Sequence, residues 1–338
     1  MLDQGFPGAT GGGKAMWGSD TGIDRRVLMQ RALAGAGGLS LSAWPMRALA
    51  QLGPKVPPRI LPAQWSWDPV PPLAAAREGM AELPGVRLYF WDTGGTGEPI
   101  MLLHPITGSA LVWGYQQSVF AKAGYRVIAF SRRGHARSES GPLPIPAGVN
   151  APDDVIGVAD FLNLDKFHLV GTAGGGFILP DLAQSYGDRL LSMTITCSQG
   201  GLTEPSYRER IARLTPAPVM QTPNSFRELG PSYRAGNPQG MAQWEALEHA
   251  ALSGPTAVRP PPKNRCNFAD IEKITTPTFV LAGAADLYAP PTLMFEMASH
   301  LQNVEVAVLP ECGHSGYWEQ PIAFNNAVLD FIGRHKGR

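Results

Sequence analysis

The sequence predicts an α/β fold in which helices flank a mostly parallel central sheet. Apolar runs of strand length, such as 99–104 and 125–130, alternate with helical patterns along most of the chain. This alternation is typical of parallel strands joined by crossover helices. Several runs are continuously apolar, as expected for strands buried on both faces. The 338 residues are enough for one such domain with an insertion.

The elements are predicted in the following order. After a proline-rich extended arm at 51–85, the strands are expected at 86–91, 99–104, 125–130, from 167, at 191–197, 276–283 and 304–309, and the main helices at about 110–123, 152–163, 177–184, 204–214, 238–252, 291–300 and 321–332. The alternation stops after residue 201 and resumes at 276. We therefore assign 86–202 and 269–338 to the α/β core, and 203–268 to an inserted helical cap, called the cap segment below.

The composition limits the classes of partner. Lys plus Arg and Asp plus Glu number 28 each, which gives no reason to expect binding to nucleic acid or an anionic membrane surface. No apolar run is long enough for a membrane span. The histidines are scattered and give no metal-ligand pattern. Cys197, Cys266 and Cys312 are an odd number without C-x-x-C spacing, so at least one is expected to be a buried free thiol, and a disulfide between two of them is the alternative in an exported chain. We expect a small-molecule substrate and no cofactor or metal; the sequence does not indicate an oligomeric state.

Residues 1–50 are interpreted as a twin-arginine export signal. Arg25 and Arg26 precede an apolar stretch diluted with glycine and serine, and the small residues Ala48-Leu49-Ala50 follow it. Charged, apolar and small-residue regions in this order are typical of exported chains. An amphipathic helix with two surface arginines is the alternative. We expect export, and hence a periplasmic or secreted mature chain.

The stretch 167–177 carries the most informative motif. Its apolar run ends in Gly171-Thr172-Ala173-Gly174-Gly175-Gly176, and a helical pattern follows. Strand, tight glycine turn and helix are the context of a nucleophile elbow, G-x-S-x-G, whose flanking glycines make room for a strained central residue. That centre is Ala173, which carries no nucleophilic atom. A phosphate-binding loop needs a spacing and a lysine that are absent here; a plain glycine-rich turn remains the alternative.

Two further residues follow strands in the order of a catalytic triad. Asp286 follows the strand 276–283, and His314 follows the strand 304–309. Because the carboxyl ends of parallel strands meet at one edge of a sheet, both are expected near Ala173. His314 would then act as general base, and Asp286 would fix its tautomer and stabilise the imidazolium.

From about residue 86 to residue 334 the chain resembles the α/β-hydrolase fold superfamily of esterases, lipases and C–C hydrolases, with the cap segment loosely matched. Besides the elbow and the acid–histidine order, His104-Pro105-Ile106-Thr107-Gly108-Ser109 is similar to the oxyanion loop H-G-x-x-G-S, and 133–138 to the structural turn R-G-x-G-x-S. The resemblance implies that the backbone N–H groups of Ile106 and Gly174 form the oxyanion hole. Pro105 lacks an N–H, but the family draws no donor from that position.

Four residues are expected to contact the substrate: His104, Thr107, Tyr288 and Trp244. The first two belong to the loop similar to the oxyanion loop, Tyr288 lies near Asp286, and Trp244 lies in the cap segment. The aromatic residues and methionines of the cap segment favour a substrate with an apolar or aromatic group.

Ala173 leaves three hypotheses for the activity. In the first, which we favour, the chain is an ester-type hydrolase with alanine in place of the nucleophilic serine, and is inactive or impaired as written. In the second it is a serine-free enzyme in which the His314–Asp286 pair activates water or removes a substrate proton. In the third it is a non-catalytic binding protein on a hydrolase scaffold. The intact glycines, oxyanion loop, acid and histidine favour the first, although a fold alone does not determine function.

Overall fold

The computed structural model describes residues 57–254 and 258–337, and these contain an open sheet of nine strands. The export segment predicted at 1–50 lies outside the described residues, as do residues 51–56 of the predicted arm. The strands are β1 (Arg59–Ile60), β2 (Arg77–Leu83), β3 (Val86–Asp92), β4 (Pro99–Leu103), β5 (Arg126–Phe130), β6 (Phe167–Thr172), β7 (Leu190–Thr196), β8 (Thr278–Gly283) and β9 (Val304–Leu309).

The helices fill the connections between these strands. They are α1 (Gly114–Lys122), α2 (Ala151–Phe161), α3 (Ile178–Tyr186), α4 (Pro205–Leu214), α5 (Ala217–Met220), α6 (Asn224–Glu228), α7 (Pro231–Gly236), α8 (Pro238–His249), α9 (Phe268–Ile271), α10 (Pro291–Ser299), α11 (Gly316–Glu319) and α12 (Pro321–Arg334), with 3₁₀ helices at Ala110–Trp113 and Gly187–Arg189. The helix predicted at 110–123 is thus a 3₁₀ turn followed by α1. Helices α4 to α8 all lie between β7 and β8, within the cap segment.

The sheet is mostly parallel, so the predicted fold class is confirmed. Its strand order is β1-β9-β8-β7-β6-β4-β5-β3-β2. Strands β4 to β9 pair in parallel wherever they are neighbours, whereas β3 runs antiparallel to both β5 and β2. The carboxyl ends of β6, β8 and β9 consequently lie at the same edge of the sheet.

The predicted arm at 51–85 needs a correction, because part of it belongs to the sheet. Strand β2 pairs with β3 over its whole length, and β1 pairs in parallel with β9 at the opposite edge. Strand β2 has the sequence REGMAEL and is largely exposed or half-buried. Edge strands of this kind carry polar residues and lack the continuous apolar run of a central strand, so the proline-rich composition upstream dominated the prediction.

Alternate residues of the central strands enter two apolar clusters, as the two-residue period of a strand requires. In β6, Leu169 belongs to one cluster and Val170 to the other. In β4 the same holds for Leu103 and Leu102. These residues are fully buried, so both faces of the sheet are covered, which explains why a central strand such as β4 is apolar throughout.

Neither a membrane-spanning helix nor a metal-binding cluster is found in the described part of the chain. No helix there is long and apolar enough to cross a bilayer, and no group of three or more His, Cys, Asp or Glu side chains among residues 57–254 and 258–337 is placed to hold a metal ion. Cys197, Cys266 and Cys312 are buried free thiols.

Candidate active site

Ala173 occupies a strained turn between β6 and α3. Its φ angle is +51°, a left-handed conformation that few non-glycine residues adopt. The flanking glycines permit the turn by having no Cβ: a Cβ on Gly171 would lie 2.8 Å from the carbonyl oxygen of Gly175, and one on Gly175 would lie 2.2 Å from the carbonyl oxygen of Leu103. The Ala173 N–H donates to Thr196 O at 3.0 Å, which fixes the turn against β7. This is the geometry of a nucleophile elbow.

His314 and Asp286 form a buried hydrogen-bonded pair beside this turn. The distance from His314 Nδ1 to Asp286 Oδ2 is 2.8 Å. The other carboxylate oxygen of Asp286 accepts the N–H groups of Tyr288 and Ala289 at 2.8 and 2.9 Å. Because Asp286 is held as an acceptor on both oxygens, Nδ1 of His314 must carry the proton, which leaves Nε2 free to accept one.

The charges around His314 favour its protonated form. Burial lowers the pKa of its imidazole, but the negative charge and the hydrogen bond of Asp286, followed by the charges of Glu228 and Glu319, raise it, and the net pKa is above the ordinary value. A base that binds a proton more readily than free histidine is suited to deprotonate a weakly acidic group.

Two backbone N–H groups meet next to Ala173. A Cβ on Gly174 would lie 3.3 Å from the nitrogen of Ile106, so the two chain segments are in close contact. Within the described residues neither N–H donates a hydrogen bond. The carbonyl oxygen of Ile106 is 3.1 Å from Nε2 of His135, which helps to hold the loop. Two free N–H groups at this position are the arrangement of an oxyanion hole.

A pocket of about 710 Å³ opens above these groups. The turn, the Ile106 loop and His314 form its floor, and the cap segment supplies much of the rest of its wall. Its lining is Ile106, Thr107, Ala173, Gly174, Phe177, Gln199, Met220, Asn224, Arg227, Glu228, Glu248, Ala251, Leu252, Arg259, Tyr288 and His314. The lining thus combines apolar side chains with two arginines and two glutamates.

Of the residues expected to contact the substrate, two line the pocket and two do not. Thr107 and Tyr288 are in its wall, and the Tyr288 ring lies 4.7 Å from that of His314, measured between centroids. His104 is fully buried under the loop, where its Nε2 accepts the N–H of Arg132 at 3.0 Å. Trp244 is buried in the apolar cluster that also contains Val170 and Leu102. Both were expected to contact substrate because of the sequence segments in which they lie. Their side chains instead pack into the protein interior.

Glu228 is a pocket residue that the sequence reasoning missed. Its side chain is buried, lines the pocket and accepts a hydrogen bond from Thr107 Oγ1 at 2.9 Å. Its backbone carbonyl accepts the N–H of His314 at 2.8 Å and that of Ser315 at 3.1 Å. Burial raises the pKa of the Glu228 carboxyl to about 7, against the smaller opposing effect of the charge on His314. No motif marks it, because it reaches the site through the packing of the cap segment.

A second buried carboxylate, Glu319, connects the cap segment to the His314 loop. Its oxygens accept the N–H of Gly230 at 2.8 Å, that of Gly313 at 3.0 Å and that of Ser315 at 3.3 Å. Burial raises the pKa of Glu319 to about 7, while these backbone donors lower it. The position of His314 therefore depends on both Glu228 and Glu319.

An elbow, a buried acid–histidine pair and paired N–H donors at the carboxyl edge of a parallel sheet define the class of α/β-hydrolase proteins. The chain belongs to the alpha/beta hydrolase family, whose model matches residues 100–327.

Its relatives include hydrolases of oxo-acid substrates. It is 28% identical over 281 residues to the 2-hydroxy-6-oxononadienedioate/2-hydroxy-6-oxononatrienedioate hydrolase of Paraburkholderia phymatum, a match covering 76% of this chain and 93% of the relative. The 2-hydroxy-6-oxo-6-phenylhexa-2,4-dienoate hydrolase of Comamonas testosteroni is 26% identical, over 72% of this chain and 91% of the relative. The structure of a thermophilic esterase from Thermogutta terrifontis matches with a TM-score of 0.62 at 24% identity, over 78% of this chain and all of that one.

Proposed function

We propose that the chain is an α/β hydrolase built for acyl transfer on an ester or related carbonyl substrate, with Ala173 in place of the nucleophilic serine. The observation that carries the proposal is the backbone of Ala173. A left-handed φ at a non-glycine residue costs about 1–3 kcal/mol, and the turn achieves it with glycines whose replacement would cause backbone clashes. Such strain is useful when the central side chain must attack a substrate, which a methyl group cannot do.

The other groups are arranged for the steps that follow such an attack. A serine at position 173 would pass its proton to Nε2 of His314, whose other nitrogen is held by Asp286 at 2.8 Å. The oxygen of the tetrahedral intermediate would accept the free N–H groups of Ile106 and Gly174. His314 would then protonate the leaving group and activate water to release the acyl group. With alanine, binding remains and covalent catalysis is lost.

The relatives support a substrate with a reacting carbonyl and an apolar or aromatic part. Both curated relatives are named as hydrolases of oxo-substituted acids, and one of these substrates carries a phenyl group. In this chain, Phe177, Met220, Leu252 and Tyr288 give the pocket an apolar surface on which such a group can pack.

The direct test is to introduce the serine. Ala173→Ser should hydrolyse p-nitrophenyl esters with a burst of acyl-enzyme formation, because the change adds one oxygen at a buried position that already faces the pocket. Loss of a triad nucleophile costs up to about 10⁶ in turnover in a protease example, so even a small part of that gain is measurable. The matched control is Ala173→Ser combined with His314→Ala, which has the same oxygen and no base. Adding Asp286→Asn instead should lower turnover by up to about 10⁴.

Glu228 favours one alternative, a serine-free reaction in the chain as written. A protonatable carboxyl with a pKa of about 7 lines the pocket within the electrostatic field of His314, which is the kind of pair that performs general acid–base catalysis. In this second candidate function His314 and Glu228 transfer protons to and from a carbonyl compound or water.

The two functions make opposite predictions for Ala173. If the unaltered chain already turns over a carbonyl substrate in a His314- and Glu228-dependent way, and Ala173→Ser gains nothing over a panel of short and aromatic esters, the acyl-transfer proposal is wrong and the serine-free function replaces it.

A further inference from the structure

A smaller cavity of about 130 Å³ adjoins the pocket. Ile106, Gly174, Phe177 and Arg259 line both spaces, so the small cavity begins beside the two free N–H groups. Its volume is well above the ~10–15 Å³ that one water needs. A ligand whose carbonyl lies at Ala173 can therefore place a second group of the same molecule in this cavity.

The wall of this cavity carries an excess of positive charge. Arg133 is neutralised by Asp154 through two hydrogen bonds of 2.7 and 2.8 Å. Arg132 has no carboxylate partner among the described residues; its guanidinium donates to the carbonyl oxygen of His104 at 3.0 Å, and its Nε is buried without an acceptor. Arg259, on the shared wall, adds a further positive charge.

The neighbouring histidines do not compensate Arg132. Burial, and then the positive charge of Arg132, lower the pKa of His104 well below its ordinary value and that of His135 to about 4, so both rings are neutral at pH 7. Burial and the charge of Arg259 lower the pKa of Arg132 to about 9, which still leaves it protonated at neutral pH. A partly buried cation without a counter-charge is costly in the free protein, and an anionic ligand would remove that cost.

We propose that this cavity binds a carboxylate of the substrate, held by Arg132 with Arg259 at the rim. The inference rests on the proposed function, because it assumes that the reacting carbonyl lies at Ala173. Arginine binds carboxylates well because its planar guanidinium matches the two oxygens. Phe177 and Ile178 in the same wall provide apolar surface for a short carbon chain between carboxylate and carbonyl. The substrate class is therefore a carbonyl compound with an acid group a few carbons away.

The test compares matched charged and neutral ligands on the full chain with Ala173, which under the proposed function binds them without covalent turnover. Monomethyl esters of C4 to C6 dicarboxylic acids carry one carboxylate, and their dimethyl esters carry none. Calorimetric titration at pH 7 should show at least one half-ester binding about tenfold or more tighter than its diester, the range expected of a charge-assisted hydrogen bond. Arg132→Gln should abolish the preference by weakening half-ester binding about tenfold or more, to the level of the diester measured with the same variant.

Two further variants keep the test decisive. Arg208→Gln removes the same charge from an exposed residue of α4 that lines neither cavity, and it should keep the preference. Arg259→Gln changes an exposed residue, so the variant should fold, and it should reduce the preference. It therefore tests the inference if Arg132→Gln fails to fold. Equal binding of half-ester and diester, or a preference that survives both Arg132→Gln and Arg259→Gln, overturns the inference.

Failure of the inference can be told apart from failure of the proposed function. If Ala173→Ser hydrolyses neutral esters but no arginine variant affects half-ester binding, the carboxylate site is wrong and acyl transfer stands. If half-ester binding depends on Arg132 while Ala173→Ser is inactive, the carboxylate site stands and acyl transfer is wrong.

Discussion

The buried carboxyl of Glu228 should give the protein a pH-dependent stability that Glu228→Gln removes. Glutamine keeps the shape of the side chain and an oxygen that can accept from Thr107 Oγ1, now at 2.9 Å, but it cannot ionise. The substitution therefore isolates the effect of titrating one carboxyl next to His314.

The magnitude follows from the pKa. Burial raises the pKa of Glu228 from 4.5 to about 7, and each pKa unit corresponds to ~1.36 kcal/mol. Because the native state binds this proton more strongly than the unfolded chain, the stabilisation is fully present below pH 4.5 and is lost as the pH rises through about 7. Over that interval the free energy of unfolding of the unaltered protein should fall by about 3 kcal/mol relative to the variant.

The assay is urea unfolding of both proteins at several values between pH 4.5 and 8, with the difference in free energy of unfolding plotted against pH. Glu319 titrates in both proteins, so its contribution cancels in the difference. A second readout is the NMR titration of His314: the charge of Glu228 raises the pKa of that imidazole, so the variant should titrate at lower pH.

The matched control is Glu245→Gln, a change to a half-buried residue of α8 that does not line the pocket. It measures the effect on unfolding of removing a carboxyl of the cap segment that lies outside the pocket. If the Glu228→Gln difference does not change with pH and His314 titrates unchanged, the assignment of Glu228 as a buried proton-binding group is refuted.

Three further expectations concern the scaffold and the N-terminus. Gly175→Ala should prevent stable folding, because its Cβ would lie 2.2 Å from a backbone carbonyl oxygen, whereas Gly187→Ala, whose nearest atom is at 3.4 Å, should leave the urea midpoint almost unchanged. Arg133→Met should cost about 3–5 kcal/mol by leaving the carboxylate of Asp154 unpaired, and adding Asp154→Leu should restore most of that loss in the same assay. We also propose that residues 1–50 direct twin-arginine export, so N-terminal sequencing of exported protein should begin at or near Gln51; an unprocessed N-terminus would contradict this.

The elements with a strong local cause were predictable from sequence. A strand buried on both faces must be apolar throughout, so β4 and β5 were located to within one residue. A Cβ on Gly171 would lie 2.8 Å from the carbonyl oxygen of Gly175 four residues further on, and this local requirement is visible as a motif. Gly175 itself is required by a contact with Leu103 of β4, which is distant in sequence. The first residue of β8 was misplaced by two: the prediction began at Thr276, although the strand begins after Pro277.

What escaped prediction depends on packing between segments distant in sequence. Glu228 reaches the site because the cap segment is held against the His314 loop, and Arg132 faces a cavity formed partly by residues 258–260. Trp244 was expected at the pocket, but whether a large aromatic side chain lines a pocket or fills a core depends on which face of α8 packs into the apolar cluster. No local pattern of residues records these contacts.

The hydrogen bonds of Glu319 have a consequence for recombining this protein with others of its family. Exchanging the cap segment as a module would bring in a foreign backbone at Gly230, where a Cβ would lie 2.7 Å from the carbonyl oxygen of Glu311 and 2.8 Å from Glu319 Oε2. A chimera with any other residue there would displace the loop that carries His314. Graft boundaries placed after residue 230 leave this junction intact, so the part of the pocket wall formed by Glu248, Ala251 and Leu252 could be altered while the contacts of Gly230 with the His314 loop are kept.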